Sequence, residues 1–314
     1  MAEACAFLVC GEALVDLVPL PGEDALFRAV CGGSPYNVAI GLARLGAPTQ
    51  FLGRLSSDGN GRRLANRLAQ NGVDLALVAS GGLPTTLACV LPPEPGRYDV
   101  GYAFYLEGTS GAVLLPEDFP AALSPAIRLV HFGSFSALLP GSGRLIRDFA
   151  AHSGRIVSYD PNIRPTVTPD REAAWPDIAA CVASADIVKL SDADAAWLYP
   201  GRPPEDVAAE LLRLGPSVVA ITLGPEGALV ATQAGQVSVP GLETAVVDTV
   251  GAGDTFMAAF LWDLGTRGLL SSRDALAAAS QQELTQVASL ACRAASIVCA
   301  RRGAEPPFAA ELSL

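Results

Sequence analysis

The chain has 314 residues, half of them apolar and only 17% charged, with a formal net charge of −11. This balance supports a large core and argues against disorder, and it excludes a broad nucleic-acid surface, which needs clustered Lys and Arg. Lys189 is the sole lysine among 21 basic residues; the rest are arginines.

FLVC (7–10) reads as a short buried strand, and Val38, Leu42 and Leu45 recur at helical spacing in PYNVAIGLARLG. QFLGRL (50–55) is expected as a strand, GNGRRLANRLAQNG as a helix closed by Gly72, and VDLALV (73–78) as a further strand. Beyond residue 125 come IRLVHFG, a helix near 142–152, RIVSYD, a helix near 171–183, DIVKL, a helix near 203–214 and SVVAITLG. Such alternation predicts an α/β domain, a mostly parallel sheet with helices on both faces, spanning residues 1–314. The C-terminal third turns helical, from Asp254 through the Ala-rich segment 274–300. Two excursions at about 12–34 and 83–106 carry the β-like ALVDLV, TTLACVL and YDVGYAFYL without helices between them. They point to a small flap of antiparallel strands, a lid or an interface.

The seven cysteines are scattered, odd in number and without a CxxC pair, so reduced thiols are expected. Two histidines argue against a His-rich metal site. The apolar run Ala4–Cys10 is short for a signal peptide, and no stretch of about 18 apolar residues offers a membrane span. A soluble cytoplasmic protein is the expectation, with no nucleic-acid or membrane partner.

The densest chemistry lies in DTVGAGDTF (248–256), where a Gly-Ala-Gly turn precedes a probable helix. Small residues there let backbone N–H groups converge at a helix N-terminus, where the dipole favours an anion. Asp254 in the first turn either accepts a proton from an attacking hydroxyl or caps the helix. A dinucleotide loop fits poorly, because the third glycine position of GxGxxG falls on Phe256. A Walker A loop is excluded, since Lys189 sits in IVKLSD with no glycine near it. No HRD or DFG triplet is present, which excludes a protein kinase.

GGSPYNVA (32–39) together with DTVGAGDTF resembles the two signatures of PfkB (ribokinase-like) carbohydrate kinases. GRLSSDGNG (53–61) is similar to the family's glycine-rich strand-to-helix junction, and DPNIR (160–164) resembles the DPN-x-R segment of fructokinase-like members. Thr222-Leu223-Gly224 with Glu226-Gly227 resembles its nucleotide-side loop. The five segments stand in the family order across nearly the whole chain.

The resemblance implies a ribokinase-like fold and ATP-dependent phosphate transfer to a sugar hydroxyl. Asp254 would be the base, and the amides of Gly251, Ala252, Gly253 and Asp254 the anion hole, replacing the Walker lysine. Arg164 would be a second positive group at the phosphate, its alternative being a surface salt bridge. Sugar contacts fall to Asp16, Gly32, Gly33, Asn37 and Asp254, with Phe104 and Tyr105 closing an aromatic face over the ring. Asp16 is otherwise an exposed strand carboxylate, Asn37 a helix N-cap, and the aromatics ordinary strand residues. Thr222, Gly224, Gly227, Gly251 and Gly253 would face the nucleotide. Many relatives hold magnesium near an Asn-x-x-Glu; here Ser191 and Asp194 stand there, implying contact through water or simply a helix N-terminus. Asp248, with carbonyls of Val250 and the Arg302-Gly303-Ala304 loop, matches a monovalent-cation (potassium) site of some relatives, while Pro307 stands where ribokinase offers a hydroxyl.

Fructose is the expected sugar. The rival is 2-keto-3-deoxygluconate, whose kinases, like some fructokinases, place Arg after the flap aromatics, where this chain has Leu106. A sugar-binding module without catalysis and a nicotinamide-dependent oxidoreductase are the readings of other classes. Pairing of two copies through the flap is expected from the resemblance.

Overall fold

A computed structural model describes residues 6–20, 23–91 and 101–312. In chain order its strands are β1 (Ala6–Cys10), β2 (Leu14–Leu20), β3 (Glu23–Gly32), β4 (Thr49–Ser56), β5 (Val78–Gly81), β6 (Leu87–Leu91), β7 (Gly101–Tyr105), β8 (Ile127–Gly133), β9 (Ile156–Asp160), β10 (Ile187–Ser191), β11 (Val218–Thr222), β12 (Ala228–Thr232) and β13 (Gly235–Val239). The α-helices are α1 (Ser34–Arg44), α2 (Gly59–Gln70), α3 (Ser142–His152), α4 (Arg171–Ser184), α5 (Asp192–Leu198), α6 (Pro204–Leu212), α7 (Ala252–Thr266), α8 (Arg273–Ala277) and α9 (Gln281–Cys299).

The main sheet has nine strands in the order β13-β12-β11-β10-β9-β8-β1-β4-β5. Neighbours from β11 to β5 run parallel, and β12 and β13 add an antiparallel hairpin at one edge. Alternate side chains of one strand enter separate cores: Phe7 and Val9 pack on one face, Leu8 and Cys10 on the other. That two-sided burial explains why the strands read as continuous apolar runs. From β1 the chain moves to β4 and β5 on one side, and later to β8 on the other. The strand order therefore reverses at β1, and the crevice outside its carboxyl end is where such sheets bind ligands.

A second sheet of four strands, ordered β3-β2-β6-β7, forms the flap. Its two hairpin pairs are antiparallel, but β2 and β6 run parallel, which differs from the all-antiparallel expectation. The reason is topological: β1 and β5 are parallel strands, and both excursions leave from their carboxyl ends in the same direction. Asp58 anchors the second excursion, accepting from the Gly61 N–H at 2.7 Å as N-cap of α2 and from the Thr85 N–H at 2.9 Å. Residues 21–22 and 92–100 of the two excursions lie outside the described residues.

VDLALV is not a strand along its length. The ladder there begins at Val78, and Asp74 makes only an isolated bridge to Gln50. Val73 is apolar because it packs in the core between α2 and the sheet, not because it pairs. The hairpin β12–β13 was not anticipated from the sequence. Among the described residues six cysteines are free thiols, and no helix is long and apolar enough to cross a membrane.

Candidate active site

The carboxyl ends of the central strands, the N-termini of α1 and α7, and the inner face of the flap converge on one region. α7 begins at Gly251, whose φ of 79° is left-handed; a Cβ there would also come 2.5 Å from Cβ of Ala304. This turn leaves the N–H groups of Gly251, Gly253 and Asp254 without an acceptor among the described residues. The Ala252 N–H instead donates to the Thr249 carbonyl at 3.2 Å, so the expected four-amide hole is reduced to three. Three free donors at the positive end of a fifteen-residue helix form a site for an anion.

Asp254 does not cap α7. Its Oδ1 accepts from Ser34 Oγ at 2.6 Å and its Oδ2 from Asn37 Nδ2 at 2.8 Å, both across the site from α1. Asn37 is not an N-cap either; Gly33 holds that position and its carbonyl accepts the Asn37 N–H. Asn37, expected at the sugar, uses its amide to orient Asp254. Ser34 and Glu12 were missed. Glu12 Oε1 accepts the Ser34 N–H at 3.2 Å, its Oε2 has no partner, and burial raises its pKa. Ser34 had a signal, lying within GGSPYN; Glu12 had none beyond its place after β1.

On the flap, Asp16 of β2 pairs in register with Val30 of β3, and a Cβ at Gly32 would collide with its Oδ2. Burial pushes the Asp16 pKa up to about 7, against the pull of Arg164 and with the added push of Asp254. Those influences bring Asp16, Arg164 and Asp254 into one electrostatic unit. Arg164 follows Asn162, which holds a φ of 38°, unusual for a non-glycine residue. The turn is secured by Asp160, which accepts the Asn162 N–H at 3.0 Å, and by Asp194, which accepts the Ile163 N–H at 2.8 Å.

The aromatic face of the flap is formed by a different pair from the expected one. Tyr102 and Phe104 alternate along β7 and stack at 5.8 Å, and Phe104 meets Phe135 edge-on at 5.4 Å. Tyr105 is 60% exposed, because the next residue along a strand points to the opposite face. Tyr102 belongs with the site: burial, and then the Asp16 carboxylate, push its pKa up to about 12. Leu106 packs against the buried cluster of Leu14, Ala88 and Phe135.

Lys189 has no glycine near it in the chain, which excludes a Walker A loop. In space its Nζ lies 2.8 Å from where a Cβ of Gly253 would sit, directly against the anion-hole turn. It is 3% exposed and donates to Asp160 Oδ2 at 2.9 Å. Burial opposes its charge, but the carboxylates of Asp160, Asp194 and Asp254 outweigh that and raise its pKa. Asp160 itself is pushed up to about 6 by burial, with Lys189 pulling the other way. A protonated ammonium thus sits behind the three free amides.

The remaining candidates divide. Thr222 ends β11 beside Ser191 of β10, and Gly224 opens the turn that follows at the same carboxyl edge of the sheet. Gly227 has a packing reason of its own, since a Cβ there would collide with the Val239 carbonyl. Ser191 and Asp194 form a capping box at α5: Asp194 Oδ2 accepts the Ser191 N–H at 2.9 Å and Oγ at 2.8 Å. With Oδ1 on the Ile163 N–H, the Asp194 carboxylate accepts three hydrogen bonds and ties the start of α5 to the 162–164 turn. Among the described residues no cluster of three or more His, Cys, Asp or Glu forms a metal site. Asp248 accepts the Val250 N–H at 3.0 Å and the Gly303 N–H at 2.8 Å, joining the two loops named for the monovalent cation.

Comparison with known proteins points the same way. The chain is 38% identical to a fructokinase of Rhizobium leguminosarum bv. trifolii, over 85% of this chain and 82% of that one. It is 32% identical to fructokinase-1 of Oryza sativa subsp. japonica, over 97% and 94% of the two chains. A Vibrio cholerae fructokinase double mutant solved with fructose, ADP and potassium superposes with a TM-score of 0.85 at 25% identity, covering 100% of this chain and 99% of that one. Aminoimidazole riboside kinase of Salmonella enterica, complexed with aminoimidazole riboside and an ATP analog, gives 0.83 at 25% identity over 98% of each chain. The model of pfkB family carbohydrate kinases matches residues 7–310, a span holding the Asp254 turn, the flap and both α1 donors, and the chain belongs to that family.

Proposed function

We propose that the chain is an ATP-dependent fructokinase. The observation that carries the reading is the Asp254 carboxylate, aimed by Ser34 and Asn37 beside three amides with no other acceptor. A fructose hydroxyl placed between flap and core gives its proton to Asp254 as its oxygen bonds to the γ-phosphorus. The bond from that phosphorus to the bridging oxygen breaks, and ADP leaves with the electron pair. Transfer of this kind needs placed charge more than covalent help. The amides of Gly251, Gly253 and Asp254 receive the phosphate oxygens, and Lys189 behind them and Arg164 across the site stabilise the growing charge. Asp16 accepts sugar hydroxyls, Gly32 and Gly33 let the ring approach, and Tyr102 and Phe104 cover it.

A neutral sugar is supported by Leu106, which leaves no cation at that point of the flap for a substrate carboxylate. Thr222 and Gly224 border the nucleotide. Magnesium would enter as part of the MgATP substrate and shield the phosphates, and Ser191 and Asp194, the latter shorter than a glutamate, would hold it through water. Potassium is supported by the Asp248 bridge between the Val250 and Gly303 loops. Pairing of two copies is supported by the apolar side chains that the flap leaves exposed, Leu20, Leu26, Phe27, Leu91 and Tyr105. Free thiols suit a reducing cytoplasm.

The test is ADP release with fructose, 2-keto-3-deoxygluconate, ribose and no sugar, each in potassium and in tetramethylammonium. Fructose should give the highest kcat/KM, lowered when potassium is withdrawn. Preference for the acidic sugar, or ADP release independent of any sugar, would refute the reading.

A further inference from the structure

A second concave site lies at the open edge of β3. It is a cavity of about 660 Å³ bounded by the flap, by α2 and by the loop following α9. None of Asp16, Asn37, Arg164 or Asp254 lines it. Five arginines do: Arg28 from β3, Arg62, Arg63 and Arg67 from α2, and Arg302 from the loop, against one carboxylate, Glu305. On a chain of net charge −11 this groove has the opposite sign to the rest of the molecule.

Glu305 is already engaged, holding Arg44 at 2.9 Å and Arg67 at 2.8 Å. Arg62 and Arg63 each give one N–H to a backbone carbonyl, of Ser57 and of Ala29, which aims the guanidinium without neutralising it. Neither these two nor Arg28 or Arg302 has an ion pair among the described residues. Arg63 and Arg67 lie one turn apart on α2, a spacing at which like charges oppose the helix. Fold stability thus accounts for Arg67 through Glu305, but it leaves the charge of Arg28, Arg62, Arg63 and Arg302 unbalanced, and an anion would balance it. The forked donors of arginine match phosphate oxygens in pairs, and a cavity of this volume suits a small molecule.

We infer that this groove binds a small anion carrying several phosphate groups, of the size of a sugar bisphosphate or a nucleoside polyphosphate. Its walls give the occupant a mechanical role. β3 runs directly into Gly32 and Gly33, while the loop touches Gly251 through Ala304 and donates from Gly303 to Asp248. An anion bridging Arg28 and Arg62 ties the flap edge to the core beside the anion-hole turn. The inference is independent of which sugar the active site takes.

The experiment titrates inorganic tripolyphosphate into the whole protein by calorimetry, with the active site blocked by a non-hydrolysable ATP analogue and fructose. Wild type should bind one tripolyphosphate per chain, more weakly as salt rises. Arg28→Ala with Arg62→Ala removes one exposed guanidinium from each wall. It should weaken this binding at least tenfold, while kcat without added anion changes less than twofold and the melting temperature holds. Fructose 1,6-bisphosphate and ATP, added as second and third probes, distinguish the two ligand sources. Absence of tripolyphosphate binding at the blocked protein, or equal binding by the double variant, would overturn the inference. So would loss of self-association in the double variant without anion binding by wild type, which would assign the groove to a second copy.

Discussion

Asp16 carries the clearest pH signature among the site residues. Its carboxyl is pushed up to about 7, foremost by burial, and in the proposed role it accepts a sugar hydroxyl better when ionised. Fructose KM should therefore rise on acidification below about pH 7, by about tenfold per pH unit well below it, measured from pH 5 to 8. Asp16→Asn should flatten that slope. In stability the sign is opposite: the folded chain holds this proton more tightly than the unfolded chain. The contribution is full below about pH 4, the ordinary aspartate value, and is lost as pH rises through about 7. Lys189 gives a second test. Lys189→Met strands Asp160 in the core and should destabilise by about 3–5 kcal/mol in denaturant melts. Adding Asp160→Asn should restore most of that stability while kcat stays down by about tenfold or more. Recovery of kcat together with stability would make the lysine purely structural. Neither role was visible in the chain order, because Lys189 and Gly253 are 64 positions apart and meet only where β10 passes under α7.

At the scale of elements the flap separates two functions by strand alternation. Tyr102→Ala or Phe104→Ala should raise fructose KM by about tenfold, as expected for losing an aromatic contact of about 1–2 kcal/mol. Tyr105→Ser should leave KM unchanged and weaken self-association in sedimentation, since that ring faces outward. A rise in KM for Tyr105→Ser equal to that for Phe104→Ala would contradict the assignment of faces. Much of this architecture was legible in the sequence: α3 falls at 142–152 and β8 at IRLVHFG, both as their apolar spacing indicates. What was not legible depended on contacts between distant segments. VDLALV has strand composition, yet most of it packs without pairing. The parallel β2–β6 pairing follows from where both excursions leave the sheet, which no local pattern encodes. The motif GGSPYNVA marked the right helix, but the roles of Ser34 and Asn37 toward Asp254 required α1 and α7 to be placed side by side.

For the whole molecule, the composition set a puzzle that the fold resolves. On the proposed function, a chain of net charge −11 with one lysine handles a polyanionic nucleotide through charge placed locally: free amides at α7, a helix dipole, Arg164 and a buried ammonium. The reversal of strand order at β1 gathers these pieces from segments spread over most of the chain. In the proposed mechanism all of them serve one phosphoryl transfer, in which Asp254 takes the proton of the attacking hydroxyl, and Asp254→Asn tests that role most directly. The substitution keeps the shape of the side chain and removes the base. Steady-state kinetics with fructose and ATP should show kcat reduced by about 10²–10⁴-fold with fructose KM within about threefold of wild type. A kcat within tenfold of wild type, or a fall in kcat matched by an equal loss of fructose binding, would contradict the account.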